Sequence, residues 1–385
     1  MTGSFCPNCM EEVRNGSTFC QRCGKKINIE YKPTHMPPGT VIKNTNGNTY
    51  YFGRALGEGG FGITYIGREL VSGGNVAIKE YFPTMCGPVR GENGDIHPDS
   101  QKLDAFNRGK KSFLSEASML RALRDVPGIV HVLDYFEAKG TAYIVMEYLN
   151  GRTLKDIVES SGPMNYNTVM ELFRPLMQNL VRVHGAGVIH RDIAPDNIML
   201  MPYGSLKLLD FGCARSFEDG RSMTVALKPG FAPLEQYTRH DQKEYTDLYA
   251  LCATMYYCIT GRVPAAAPDR MQTSLNGGTD PMKPISAFGI KIPEYIEQAI
   301  MKGCVLQPTR RTASVKDFLA EVEPPAPPPT PPPPPPLTPP PSPPTPTFWE
   351  KYKIPILIAA GAAAVLLLAG IIGTLMAIGL IIDNF

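Results

Sequence analysis

The stretch His190–Asn197, HRDIAPDN, sets a carboxylate, Asp192, five residues ahead of a side-chain amide, Asn197; a second carboxylate follows in Asp210-Phe211-Gly212. Phosphoryl transfer needs a group to orient and deprotonate the attacking hydroxyl, and it needs hard oxygen ligands for Mg²⁺. Asp192, acceptor-only when ionised, suits the first task, and Asn197 and Asp210 suit the second. His184 and His190 are read as core or backbone-bonded histidines rather than as acid or base.

Upstream lies Leu56-Gly-Glu-Gly-Gly-Phe-Gly-Ile-Thr-Tyr65, with glycines at 57, 59 and 62. Glycine lets backbone N–H groups approach phosphates without side-chain interference. A dinucleotide site would need a helix directly after the glycines. Ile63 to Ile66 continue as a strand instead, so the stretch is expected to be a glycine hairpin over a nucleotide. Val76-Ala77-Ile78-Lys79 then places a lysine on an alternating strand that faces the same cleft. A helical stripe, Phe113, Ala117, Leu120 and Leu123, carries Glu116 beside it, where a carboxylate would hold Lys79 against the nucleotide's phosphates. Tyr143 to Tyr148 reads as a strand leading to a hinge. Strands early and 3.6-period stripes later (Leu172, Leu176, Leu180, Val183) predict an α+β fold in two lobes.

In order, GEGGFG, VAIK, Glu116, HRD…N, DFG, PGFAPLEQY and TDLYAL resemble the protein kinase fold over about residues 48–322, and closely the bacterial serine/threonine kinases related to the eukaryotic ones. The resemblance implies a bilobal kinase fold, protein substrates, ATP and Mg²⁺. It implies an ATP site of Leu56, Gly57, Glu58, Gly59, Gly60, Phe61, Gly62, Thr64, Ala77 and Lys79, with Met146 as gatekeeper and the backbone of Glu147 to Leu149 meeting adenine. It also implies that Asp247 braces the catalytic loop and that Glu235 pairs with Arg311, although Pro233-Leu234-Glu235 replaces the usual A-P-E. Arg191, beside Asp192, looks like the arginine of kinases switched by phosphorylation. Ser216, Ser222 and Thr224 are candidate sites, with Thr224 the first choice.

One family residue is missing. The lysine two positions after the aspartate, which touches the transferring phosphate, is Ala194 here. Losing one such contact typically costs about 10²–10³ in rate, which slows a kinase without abolishing it. Tyrosine kinases also lack this lysine but supply a nearby arginine, which Pro195 and Asp196 do not offer. Lys228 is a candidate to supply the charge. The expectation is a working serine/threonine kinase that phosphorylates proteins and itself. The alternative is a pseudokinase scaffold that binds nucleotide and recruits partners; an enzyme acting on small molecules is disfavoured by the platform at Phe231 to Tyr237.

The ends of the chain carry different chemistry. Cys6-x-x-Cys9 and Cys20-x-x-Cys23 are spaced for a tetrahedral Zn²⁺ site. FCPNC…FCQRCG resembles the zinc-ribbon family, which implies a structural ion. Residues 324–347 hold 17 prolines in 24 positions, so they form neither helix nor sheet. They read as a polyproline stalk whose PxxP content would also suit an SH3-like partner. Ile354 to Ile382 is uncharged, and as a helix it would reach about 43 Å, enough to cross a membrane. Lys351 and Lys353 precede it, so everything upstream is expected in the cytoplasm. Gly373 and Ala377 form a small-xxx-small pair that would suit a homodimer. With 38 Lys plus Arg against 36 Asp plus Glu, the charge gives no reason to expect nucleic acid. The expected order is zinc ribbon 1–28, linker 29–47, kinase domain 48–322, proline-rich stalk 323–347 and a single transmembrane helix 354–382 in the cell membrane.

Overall fold

A computed structural model describes residues 4–211, 227–238, 241–324, 361, 364–371, 373 and 374. The chain divides into two units, Met1–Pro324 and Pro325–Phe385. The first begins with a short antiparallel pair, β1 (Ser4–Phe5) and β2 (Glu12–Val13). Then come β3 (Val41–Lys43), β4 (Thr49–Gly59), β5 (Gly62–Glu69) and β6 (Asn75–Tyr81), and a small hairpin, β7 (Val89–Arg90) and β8 (Ile96–His97). Helix α1 (Leu103–Ala122), β9 (Val132–Ala138) and β10 (Thr141–Glu147) complete the amino-terminal lobe.

The larger strands form one antiparallel six-stranded sheet in the order β3-β4-β5-β6-β10-β9. Helix α1 lays Phe106, Phe113, Ala117 and Leu120 against it and contacts β9 and β10. The Tyr81 ring packs between Phe106 and Phe113, with centroids 5.1 and 5.4 Å away. Such aromatic pairs add about 0.5–1.5 kcal/mol each beyond the area they bury.

Within this lobe sits a fully buried carboxylate, Glu80 of β6. It accepts hydrogen bonds from Arg90 of the hairpin, from the Tyr65 hydroxyl (2.9 Å) and from the Tyr143 hydroxyl (2.8 Å). Arg90 also donates to the Thr34 carbonyl (2.9 and 3.0 Å), and the Met36 N–H donates to the Tyr65 oxygen (2.9 Å). Burial raises the Tyr65 phenol well above its ordinary range, with the Glu80 charge acting the same way, so the hydroxyl keeps its proton to donate.

This network corrects one expectation. Residues 29–47 are not a loose linker. Val41–Lys43 is strand β3, and residues 34–36 are tied to the sheet through Arg90 and Tyr65. The cysteine unit is likewise seated on the sheet. The Arg54 N–H donates to the Pro7 carbonyl (2.9 Å), Arg68 donates to the Met10 carbonyl (3.1 Å), and the Phe5 ring meets Tyr51 edge-on at 5.2 Å. Gly53 makes the seat possible: a Cβ there would lie 2.2 Å from the Met10 methyl and 2.6 Å from the Pro7 oxygen.

The second lobe is helical. A small sheet of β11 (Arg152–Thr153), β12 (Ile198–Leu200) and β13 (Leu206–Leu208) lines its top. Its helices are α2 (Leu154–Ser161), α3 (Tyr166–Gly185), α4 (Leu234–Thr238), α5 (Glu244–Thr260), α6 (Ala267–Leu275), α7 (Glu294–Gly303) and α8 (Val315–Glu321). Side-chain caps start several of them: the Thr153 hydroxyl accepts from the Asp156 N–H, and the Ser314 hydroxyl from the Asp317 N–H. Helix α5 is buried from Thr246 to Thr260 and packs against α3, α7 and α8, so it is the core of the lobe.

In the second unit, residues 361, 364–371, 373 and 374 are helical. Among the described residues no helix is long and apolar enough to cross a membrane. Most of the expected 354–382 span and the proline-rich stalk beyond residue 324 lie outside the described residues, as does Ala377 of the small-residue pair.

The Glu80 network yields a stability prediction. Glu80→Ala strands the buried Arg90 guanidinium and two tyrosine hydroxyls, and should cost about 3–5 kcal/mol. Denaturant unfolding of the full chain measures it, and a loss below about 1 kcal/mol, the size of an ordinary substitution, would show that the network does not hold the lobe.

Candidate active site

The catalytic loop hangs from one carboxylate. Asp247, fully buried on α5, accepts from the His190 N–H (2.7 Å), the Arg191 N–H (2.7 Å) and His184 Nε2 (2.8 Å). Burial alone would raise its carboxyl, but the His184 hydrogen bond and charge and the Arg191 N–H hold it below the ordinary carboxylate range. Arg191 has φ +66°, in the left-handed region that non-glycine residues seldom adopt. The two successive N–H groups aimed at Asp247 fix that turn.

His190 is the next support. Its Nε2 meets the Leu209 carbonyl at 2.7 Å, and its Nδ1 accepts from the Asp192 N–H at 3.2 Å. One nitrogen donates and the other accepts, so the ring is the neutral Nε2–H tautomer. Burial, against the pull of Asp247 and Asp192, lowers its pKa and keeps it neutral. The ring also packs on Phe211 at 4.4 Å. His190 therefore joins the Asp192 loop to the Asp210 segment.

Asn197 orients Asp192. Its amide nitrogen donates to Asp192 Oδ2 (2.8 Å) and to the Asp192 carbonyl (2.9 Å). That nitrogen is committed to Asp192, so the carbonyl oxygen is the atom Asn197 has left to offer a cation. Its own backbone carbonyl accepts from the Leu209 N–H at 2.8 Å, which brings Asp210 alongside. Asp210 pairs with Lys79 of β6 at 2.9 Å across the gap between the lobes. Burial would raise the Asp210 carboxyl, but Lys79 and, more weakly, Lys228 and His190 keep it below the usual range. Glu116 is half-buried on α1.

The glycine stretch is the turn between β4 and β5. Register places Thr64 opposite Lys79, and Ala77 opposite Met146, so these pairs mark two neighbouring rows on one face of the sheet across β5, β6 and β10. Gly62 is required by packing, because a Cβ there would lie 2.3 Å from the Glu80 carbonyl. Gly57, Gly59 and Gly60 would meet nothing within 4 Å. Internal packing does not explain those three, whereas a ligand that needs bare backbone would. Met146 is buried at the end of β10, and Glu147 is tied by its side chain to Lys207 and to the His131 N–H.

Two contacts here, those of Glu58 and Glu147, carry no sequence signal, while Lys228 is a candidate that the sequence already offers. Glu58, in the glycine turn, is held by Lys32 (2.5 Å) and His35 (3.3 Å) from the segment after the cysteine unit. The Glu147–Lys207 pair joins the hinge to β13. Lys228 reaches Asp196 at 2.6 Å and lies 3.6 Å from Asp192. Below them, Glu235 pairs with Arg311 at 2.7 Å, both side chains buried, as the sequence resemblance implied. Gly212 and the candidate phosphorylation sites Ser216, Ser222 and Thr224 lie outside the described residues.

In the amino-terminal unit, the sulfurs of Cys6, Cys9, Cys20 and Cys23 all lie within 4.8 Å of one another. Cys6–Cys23 and Cys9–Cys20 are each 3.7 Å apart, and the thiols are free. A disulfide needs about 2.05 Å. Four sulfurs set tetrahedrally about 2.3 Å from one ion would be about 3.8 Å apart, which is the spacing found. Burial pushes Cys9 up to about 12. At Cys20 burial acts the same way, but the N–H groups of Cys23 and Arg22 outweigh it and bring the thiol to about 7.

Residues 50–321 match the family model for the protein kinase domain. A probable serine/threonine-protein kinase of Clostridium perfringens is 28% identical over 74% of this chain and 39% of its own length. The serine/threonine-protein kinase PknB of Mycobacterium tuberculosis is 30% identical over 72% of this chain and 44% of its own. The chain thus spans less than half the length of the curated relatives it matches. A solved structure of PpkA-294 in its apo form superposes with a TM-score of 0.64 at 30% identity, covering 75% of this chain and all of that one. Because the family match is continuous and takes in every cleft residue described above, the chain belongs to the protein kinase domain family.

Proposed function

We propose that this chain is an ATP-dependent serine/threonine protein kinase, anchored in the cell membrane and facing the cytoplasm, with a structural zinc ion in its amino-terminal unit. The observation that carries the reading is the convergence of Lys79, Asp192, Asn197 and Asp210 on one cleft between the lobes. The serine/threonine assignment draws on the names of the relatives and on the absence of an arginine after Asp192.

In the mechanism, Asp192 accepts the proton of the substrate hydroxyl as that oxygen bonds to the γ-phosphorus. Asn197 fixes the rotamer of Asp192, so the carboxylate is set before substrate arrives. Lys79 orients the nucleotide's phosphates, and its pairing with Asp210 keeps it at the cleft in the meantime. Asp210 and the Asn197 side-chain oxygen are hard donors that fit Mg²⁺, which would neutralise charge on the β- and γ-phosphates. Autophosphorylation in the activation segment, with Thr224 first, would give Arg191 a bidentate partner.

Phosphate transfer from labelled Mg·ATP, to the chain itself and to a generic basic protein, tests the reading. Asp192→Ala should lower it about 10²–10⁴-fold, the usual share of a general base. A wild type that binds ATP and transfers nothing would leave a nucleotide-binding scaffold in its place.

The sulfur spacing supports zinc. Metal analysis of the purified chain should find one zinc per molecule, and Cys6→Ser with Cys23→Ser should remove it. Four thiols that react at once with a thiol reagent, in protein free of zinc, would refute the site.

The uncharged run from Ile354 to Ile382 supports the membrane anchor. The full chain should sediment with membranes and resist extraction by carbonate, while a chain ending at residue 347 should be released. A full chain that stays in the supernatant would end this part of the reading.

A further inference from the structure

The catalytic loop carries Ala194 where a cation would face the transferring phosphate. Alanine there is fully buried and offers only its backbone, whose carbonyl accepts from the Asn197 N–H at 2.9 Å. A phosphoryl group in transfer carries several negative oxygens beside Asp192, Asp196 and Asp210. Positive charge must come from somewhere, because electrostatic stabilisation supplies most of the rate.

Among the described residues, two ammonium groups are ion-paired with these carboxylates. Lys79 is paired with Asp210. Lys228 comes from the segment just before the Phe231–Tyr237 platform, its Nζ 2.6 Å from Asp196 Oδ1 and 3.6 Å from Asp192 Oδ2. Its backbone is anchored: the Lys228 carbonyl accepts from the Phe231 N–H (3.1 Å) and the Ala232 N–H (2.9 Å). Two residues on, Gly230 has φ +86° and no room for a Cβ, which would lie 2.6 Å from the Pro264 carbonyl. The buried Glu235–Arg311 pair closes the same platform. Lys228 is therefore held at the cleft by a rigid base and is a quarter exposed.

A purely structural role explains this placement poorly. Asp196 is 45% exposed on its side chain, and a pair of that kind contributes about 0–1 kcal/mol. The ammonium sits between Asp196 and the carboxylate that takes the proton, and its field also reaches Asp210.

We propose that Lys228 is a catalytic residue that binds the γ-phosphoryl oxygens and replaces the cation absent at position 194. This rests on the kinase reading above. In the step, the substrate hydroxyl oxygen bonds to the γ-phosphorus as the bond from that phosphorus to the bridging oxygen of ATP breaks. The hydroxyl proton passes to Asp192, and the electron pair leaves with ADP. Lys228 stays protonated throughout, and none of its own bonds changes.

The test measures kcat and KM for ATP on the full chain for wild type, Lys228→Ala, Lys228→Arg, Asp196→Asn, and Lys228→Ala combined with Ala194→Lys. Lys228→Ala should lower kcat about 10²–10³-fold with KM for ATP and thermal midpoint little changed. Lys228→Arg should keep a measurable part of the rate, and Ala194→Lys should recover at least about tenfold of the loss, one cation's share or less. Asp196→Asn should cost far less than Lys228→Ala. Wild-type kcat in Lys228→Ala would overturn the inference. So would equal losses in Asp196→Asn and Lys228→Ala with no help from arginine, since that pattern marks a structural pair. If Ala194→Lys prevents folding, the comparison of alanine, arginine and Asp196→Asn still decides. A wild type with no transfer above Asp192→Ala would overturn the kinase reading itself, and this inference with it.

Discussion

The catalytic loop depends on the buried carboxylate of Asp247, which has to hold a backbone that would not hold itself. Arg191 sits at φ +66°, a conformation that costs a non-glycine residue about 1–3 kcal/mol. The Asp247 carboxylate receives two successive N–H groups, at 2.7 Å each, and hydrogen bonds to a charged group are worth about 1.5–3 kcal/mol apiece. The sum exceeds the strain, so the ionised carboxylate offsets the cost of the turn. Its folded pKa is lowered, so this contribution is present above the ordinary carboxylate pKa of about 3.9 and is lost as pH falls through the folded value. Helix α5 is buried along most of its length, so the hydrophobic core of the second lobe positions a polar group that in turn positions the chemistry.

The same economy of charge runs through the cleft. Asp192, Asp196 and Asp210 are like charges within one loop system, and each is answered by a partner from a different element. Lys79 comes from the sheet of the first lobe, Asn197 from the loop itself, and Lys228 from the platform below. No single lobe holds the set together. Closing or opening the lobes would alter the Lys79–Asp210 contact while leaving the Lys228–Asp196 contact within the second lobe.

Much of this was legible in the sequence because it is written in residues whose chemistry leaves few options. Asp192, Asn197, Asp210 and Lys79 occur in short motifs, and the structure gathers them at one cleft. The Glu235–Arg311 pair was also expected, though 76 residues separate its members. What was not legible depends on close approach between positions that carry no motif. Glu80 and Arg90 belong to no motif, and their side chains are buried only because the β7–β8 hairpin folds back over β6. Gly53 is one glycine among 36 in the sequence, and only the seated Met10 and Pro7 show why it is bare. Residues 29–47 were expected to be a linker for a similar reason. Their prolines and polar residues hide the fact that Met36 and Ile42 are buried.

That segment makes the cysteine unit and the glycine turn neighbours in one set of contacts. From the unit's seat on β4 and β5, the chain passes through Lys32 and His35, which hold Glu58, and then through Thr34 and Met36, which join the buried Glu80 network. The two ends of this path differ greatly in strength. Glu80 and Arg90 are buried and multiply bonded, so the segment is fixed there. Lys32 is 65% exposed, and a pair of that kind is worth about 0–1 kcal/mol. The Glu58 contact therefore adds little to the stability of the lobe, yet it falls on a turn whose Gly57, Gly59 and Gly60 have open space around them. Backbone hydrogen bonds hold the turn at Gly60 and Phe61, whose carbonyls accept from the Thr84 N–H (3.1 Å) and the Phe82 N–H (3.0 Å), and the Lys32 contact adds a side-chain tether at Glu58. The Lys32 hydrogen bond lowers the Glu58 carboxyl pKa, so the contact keeps its charge at neutral pH. The segment after the cysteine unit is thus fixed firmly at the Glu80 network and tethered lightly to the glycine turn at Glu58.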